Sequence, residues 1–86
     1  MTEGKTMAPK IYHSPVICYE VTEENNSFRI DVYYEKFKNS DNNELCCSLK
    51  NFSVSEEKTH QFAIKLAQSS ALPLHVPELA EEFLSL

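Results

Sequence analysis

The sequence predicts an α+β fold in which a three-stranded antiparallel β-meander is followed by two C-terminal helices, in the order βββαα. Apolar and polar residues alternate over 28–37, apolar residues recur every three to four positions over 59–70, and polar turn residues separate the strands. Because 86 residues with 42% hydrophobic content can fill one core but not two, we expect a single domain over 15–86. Residues 1–14 show no hydrophobic period and are predicted to form a poorly ordered arm.

The first two strands are predicted to form a hairpin about Asn25 and Asn26. A two-residue loop fixes which residues lie opposite each other. The resulting register places six apolar residues on one face, with Ile17 opposite Tyr34, Tyr19 opposite Val32 and Val21 opposite Ile30. The other face is mostly polar, as expected of a solvated face. It includes Glu20 opposite Asp31, a like-charge pair that destabilises the register by roughly a few tenths of a kcal/mol.

A polar loop over 38–43 leads into a third strand over 44–54. The alternation places Leu45, Cys47 and Leu49 toward the core and Cys46, Ser48 and Lys50 outward. Phe52 and Val54 have the outward parity but are apolar. We therefore expect a β-bulge near Asn51 that turns both side chains inward.

Ser55 and the two glutamates after it predict the start of the first helix, with Ser53 as an alternative cap two residues earlier. Its core-facing stripe consists of Thr59, Phe62, Ala63, Leu66, Ala67 and Ser70. A second, short helix is predicted over 77–84, with Pro77 at the first helical position.

Composition excludes several classes of function. Eight Lys plus Arg against thirteen Asp plus Glu give a net charge of -5, which disfavours binding to a phosphate backbone. Gly4 is the one glycine, so the glycine-rich loops of nucleotide-binding folds are excluded. No apolar run reaches the roughly 18 residues that span a bilayer, and the first residues lack the apolar region of a signal peptide. We expect a cytoplasmic protein with no nucleic-acid partner, no membrane partner and no cofactor.

The cysteines and histidines do not have the spacing of a zinc site, because the adjacent pair Cys46 and Cys47 points to opposite faces of a strand. Cys47 is interpreted as a small core residue and Cys46 as an exposed thiol. No residue pattern marks a catalytic nucleophile, so the sequence predicts no enzyme. An alternative function is a thiol-based redox sensor or metal-binding protein that uses Cys46 together with Cys18 or a histidine.

The remaining features favour protein contacts. Tyrosines cluster on the hairpin, Tyr33 and Phe37 have the outward parity, and the last twelve residues form an acidic amphipathic segment that ends at Leu86. We expect Tyr33, Phe37 and Leu86 to contribute to an interaction surface. The leading hypothesis is a small non-enzymatic interaction domain whose partner is an unknown protein or a second copy of the chain.

The C-terminal region contains two short motifs. They are Pro73-x-His75, at a turn, and Glu81-Glu82-Phe83-Leu84, in the second helix. With these motifs, the segment 53–84 resembles small uncharacterised proteins from clostridia and related Firmicutes, although Pro77 departs from their pattern. The resemblance implies a bacterial domain of unknown function and brings no catalytic residues. It also implies that His75 is a structural turn residue whose ring hydrogen-bonds at the start of the second helix.

Overall fold

The computed structural model describes residues 10–38, 42 and 44–85, which form an antiparallel sheet packed against two helices. The elements in chain order are β1 (Lys10–His13), β2 (Ile17–Glu24), β3 (Ser27–Tyr34), a first 3-10 helix (Glu35–Phe37), β4 (Cys46–Ser53), α1 (Glu56–Ser69), a second 3-10 helix (Pro73–His75) and α2 (Val76–Leu84). The α+β class is confirmed. The sheet has four strands in the order β1-β2-β3-β4, so the prediction of three strands is wrong.

The additional strand, β1, comes from the segment predicted to be a poorly ordered arm. Its four residues pair antiparallel with β2, from Lys10 opposite Val21 to His13 opposite Cys18. Four residues are too few to show a convincing alternation, and β2 provides the backbone partners that order them. Residues 1–9, the rest of the predicted arm, lie outside the described residues.

The predicted hairpin register is confirmed, and every apolar pair lies opposite as expected. Asn25 and Asn26 have φ values of 53° and 66°, so both adopt the left-handed conformation that a tight hairpin turn requires. The side chains of Tyr19, Val21, Ile30 and Val32 are completely buried under the helices. This hairpin is the central part of the hydrophobic core.

The predicted bulge in β4 is also confirmed, since the pairing register with β3 shifts there. Asn51 has a φ of 53°, and its Oδ1 accepts a hydrogen bond of 2.8 Å from the Ser27 hydroxyl. The bulge turns Phe52 into the core, where its ring stacks on Phe62 with centroids 4.9 Å apart. The prediction for Val54 is wrong, because β4 ends one residue earlier and leaves Val54 81% exposed.

The first helix begins as predicted. The Ser55 hydroxyl accepts a hydrogen bond of 3.1 Å from the backbone N–H of Lys58 and so caps the helix. Four members of the predicted stripe are buried against the sheet, namely Thr59, Phe62, Ala63 and Leu66, and Ala67 packs partly against the core. The prediction for Ser70 is wrong, because the helix ends before it and Ser70 is exposed. The helix ends at Ser69, and Ser70, with a φ of 54°, forms a left-handed C-cap.

The second helix begins at Val76, one residue before Pro77. Val76 and Ala80 are buried, and the ring of Phe83 lies 4.9 Å from that of Phe62. The chain between the helices is fixed to the sheet by the Tyr19 hydroxyl, which donates a buried hydrogen bond of 2.8 Å to the Ala71 carbonyl.

Candidate functional site

Two rows of side chains cross the outer face of the sheet, which is the face turned away from the helices. Opposed residues in antiparallel strands project to the same side, so the strand register defines these rows. The first row is His13, Cys18, Tyr33 and Cys46, and the second is Ile11, Glu20, Asp31 and Ser48. Most of the candidate functional residues therefore lie on one surface.

Glu20 is the most deeply buried carboxylate of this face, at 9% exposed. The Tyr33 hydroxyl donates a hydrogen bond of 2.9 Å to Glu20 Oε1, and Lys38 Nζ lies 3.3 Å from the same oxygen. Lys38 Nζ is also 5.5 Å from the centroid of the Tyr33 ring. Lys38 directly follows the first 3-10 helix. The start of that helix is fixed by the backbone N–H of Glu35, which donates a hydrogen bond of 3.0 Å to the Val16 carbonyl.

Asp31 has a separate set of partners. Arg29 forms a bidentate ion pair with it, with Nη2–Oδ1 and Nε–Oδ2 distances of 2.9 and 3.1 Å, and the Ser48 hydroxyl donates to Oδ1. Arg29 Nη1 also lies 3.5 Å from Glu24. Glu20 and Asp31 are neighbours as predicted. Because each carboxylate has its own cation, the repulsion between them is offset.

Burial on the outer face of the sheet shifts the pKa of Tyr33. Desolvation raises the pKa of the Tyr33 hydroxyl well above its usual 10, and the hydrogen bond to Glu20 and the charge of Glu20 raise it further. The polar cavity beside these groups has a volume of about 90 Å³, which is enough for water molecules but too small for a metabolite. The arrangement is a closed, charge-paired network that stabilises the outer face.

The thiols are separated by this network. Cys18 is buried, with Sγ 3.5 Å from His13 Nδ1, and burial raises its pKa. Tyr33 lies between Cys18 and Cys46 in the row, so their Cα atoms are two strand spacings apart, about 9–10 Å. That separation exceeds the roughly 7 Å limit for a disulfide, so a direct Cys18–Cys46 bond is excluded. Cys47 packs against the core as predicted.

Within residues 10–38, 42 and 44–85, no group of three or more His, Cys, Asp or Glu side chains is arranged to hold a metal ion. Cys46 is half-buried and lines the polar cavity.

The three predicted surface residues have different positions. Tyr33 is 4% exposed and contacts Glu20 and Lys38, so little of its surface is accessible to a partner. Phe37 is 47% exposed. Leu86 lies outside the described residues.

Phe37 is part of an apolar patch at one end of the sheet. Val16, which is 58% exposed, and the partly buried Tyr34 lie beside it around a shallow groove of about 270 Å³. We call Val16, Tyr34 and Phe37 the Phe37 patch. The sequence pattern identified Phe37 but not its neighbours. Val16 is brought beside it by a backbone hydrogen bond, from the Glu35 N–H to the Val16 carbonyl, and side-chain patterns do not predict such a bond.

A second groove, of about 400 Å³, lies between α1 and α2. It is lined by the apolar Phe62, Leu66, Leu79 and Phe83 and by the polar Lys65, Ser69 and Glu82. We call this set the helix groove. The apolar spacing of the first helix predicted that Phe62 and Leu66 face the core, and it did not indicate a groove beside them.

The histidines have structural positions. Tyr12 of β1 hydrogen-bonds to Nδ1 of His60 at 3.0 Å, and Nε2 of His60 lies 3.7 Å from Glu56, so this chain of contacts holds β1 against α1. His75 lies in the predicted turn, where its backbone N–H donates to the Leu72 carbonyl at 2.9 Å. Its ring makes no capping hydrogen bond, so that part of the expectation is wrong.

A family model described as "Family of unknown function (DUF6514)" matches residues 8–86. The chain belongs to the DUF6514 family. The match includes the hairpin as well as the C-terminal segment that carries the resemblance. Searches of the curated proteins and of the solved structures found no match.

Membership of DUF6514 assigns no activity and no site residue, so candidate sites in this domain depend on geometry. In the described part of the DUF6514 chain, neither helix is long and apolar enough to cross a bilayer.

Proposed function

We propose that this DUF6514 domain acts by protein–protein contact without catalysis, and that its partner is another protein or a second copy of itself. The observation that carries the proposal is the Phe37 patch. Val16 and Phe37 expose about half of their surface beside Tyr34, and adjacent exposed apolar side chains are characteristic of interaction sites. An aromatic ring at such a position is also typical of the residues that contribute most to binding.

The backbone around Phe37 is held in place on both sides. The Glu35 N–H donates to the Val16 carbonyl on one side, and Lys38 pairs with the buried Glu20 on the other. Phe37 is therefore presented by an ordered segment. A preorganised apolar side chain loses less conformational entropy on binding, which favours a role in recognition.

The test compares two substitutions of exposed apolar residues. Phe37→Ser removes the centre of the patch, and Val54→Ser changes an exposed apolar residue outside it. Tagged domains would be used to capture proteins from a lysate of the organism that encodes the chain, with quantification by mass spectrometry. We expect proteins that bind the wild type and the Val54→Ser variant but are lost with Phe37→Ser. Equal capture by all three would contradict the assignment of the patch.

A reactive thiol at Cys46 is the second candidate function. Cys46 shares the polar cavity with Lys38, whereas burial raises the pKa of both Cys18 and Cys47 and makes these thiols less reactive at neutral pH. A thiol reagent applied to the native domain should label one cysteine first, and Cys46→Ser should abolish this fast phase while Cys18→Ser retains it. A fast phase that survives Cys46→Ser would exclude this candidate.

A further inference from the structure

The helix groove has an apolar interior that α2 covers incompletely. Phe62 and Leu66 of α1 form its buried floor, whereas Leu79 and Phe83 of α2 are only partly buried. The helices differ in length, with fourteen residues in α1 and nine in α2. The apolar groove of about 400 Å³ lies between the two helices.

The rims of the helix groove carry opposite charges. Lys65 lies on the α1 rim and Glu82 on the α2 rim. Among the described residues, neither side chain has an ion pair or a hydrogen bond. Phe62 and Phe83, whose ring centroids are 4.9 Å apart, join the two helices at the groove. Lys65 lies one helical turn after Phe62, and Glu82 immediately precedes Phe83. The groove thus presents an unpaired cation and an unpaired anion on either side of an apolar floor.

We propose that the helix groove binds the helix groove of a second copy of this chain about a two-fold axis that runs along the groove. Such an axis exchanges the two rims, so Lys65 of each copy faces Glu82 of the other. A two-fold axis across the groove would instead place lysine against lysine and glutamate against glutamate. Charge complementarity therefore favours a second copy and selects one of the two arrangements. This inference depends on the homodimeric form of the proposed function.

The size of the face formed by α1 and α2 determines the affinity expected for the dimer. Helices of fourteen and nine residues are about 21 and 14 Å long, and packed helices lie about 8–10 Å apart. The face they present is about 20 Å across, or roughly 400 Å² per chain and about 800 Å² in total, which is the size of a weak, transient interface. Each chain also has a net charge of -5, so overall repulsion opposes association. We expect a dimer that forms in the micromolar range and dissociates on dilution.

Sedimentation equilibrium of the full chain, from about 10 µM to about 1 mM and near physiological salt, tests this inference. The wild type should approach twice the 9.9 kDa mass of one chain as concentration rises. Lys65→Glu or Glu82→Lys alone makes both symmetry-related contacts repulsive and should weaken the dimer by about tenfold or more. The double variant reverses both charges and should recover affinity to within about threefold of wild type.

Lys50→Glu, an equivalent charge reversal at an exposed residue of β4, is the matched control and should leave the affinity near that of the wild type. Circular dichroism of each variant checks the fold. A wild type that retains the mass of one chain at every concentration overturns the inference. So does a double variant that fails to recover.

A dimer that dissociates with Phe37→Ser but not with Lys65→Glu would place the interface at the Phe37 patch. This result overturns the role of the helix groove and leaves the proposed function intact. Conversely, rescue by the charge swap, together with capture that does not depend on Phe37, supports the groove dimer and refutes the assignment of the patch.

Discussion

Asn51 controls which face of the sheet receives Phe52, and its substitution separates two contributions to that control. The residue has a φ of 53° and accepts a hydrogen bond from Ser27. Asn51→Gly keeps access to the left-handed backbone but removes the hydrogen bond. Asn51→Ala removes the hydrogen bond and also makes the left-handed backbone unfavourable.

The structure gives the expected magnitudes. Loss of the Ser27 hydrogen bond costs about 1 kcal/mol, and the serine hydroxyl is not left unsatisfied, since the Glu24 carbonyl lies 3.2 Å away. An alanine in the left-handed region costs about a further 1 kcal/mol. We therefore expect Asn51→Ala to lower the free energy of unfolding by about 2 kcal/mol. Asn51→Gly should lower it by about 1 kcal/mol, which is the hydrogen-bond contribution alone.

Urea unfolding followed by far-ultraviolet circular dichroism measures both values. The bulge directs Phe52 into its stack with Phe62. Near-ultraviolet circular dichroism, which reports on the packing of aromatic side chains, therefore monitors the same contact more directly. If the glycine variant is as unstable as the alanine variant, the left-handed backbone is not the source of the effect. If neither variant loses stability, Asn51 does not determine the position of the bulge.

Two further predictions concern buried tyrosine hydroxyls. Tyr19→Phe should reduce the free energy of unfolding by about 1–2 kcal/mol, because the buried Ala71 carbonyl loses its 2.8 Å donor, and thermal unfolding would show the loss. The second concerns Tyr33, whose pKa is higher in the folded chain than its usual 10, so the unfolded chain releases this proton first as pH rises. The stabilisation is present below pH 10 and is lost above it, by up to about 1.4 kcal/mol per pH unit, and Tyr33→Phe should make the alkaline decline of stability less steep. An unchanged slope would contradict the role assigned to burial and to Glu20.

The core was predictable where side-chain parity and turn chemistry agree. The two asparagines define a turn length, which fixes the whole register of β2 and β3. After Asn51 the apolar Phe52 has the parity of the outer face, and a β-bulge returns its side chain to the core. Ser55 was recognisable as a cap because its hydroxyl acts on a backbone group three residues away.

The outer face was not predictable from the same pattern. Tyr33 and Glu20 have the parity of solvated residues, yet both are buried, and Lys38, which follows the first 3-10 helix, contacts both. That contact depends on the direction of the chain after β3. Likewise, the helix groove depends on how α1 and α2 lie side by side. Both are tertiary effects to which hydrophobic periodicity is insensitive.

The short strand β1 has a practical consequence for anyone preparing this domain. Composition alone suggests trimming the chain after residue 14, which would delete β1 and the contact between Tyr12 and His60. In the trimmed protein, all eight residues of β2 would form an exposed edge of the sheet, with unpaired amide and carbonyl groups. An exposed strand edge pairs readily with other chains, so we expect a shortened version to aggregate or to form artefactual oligomers that obscure its true state of association.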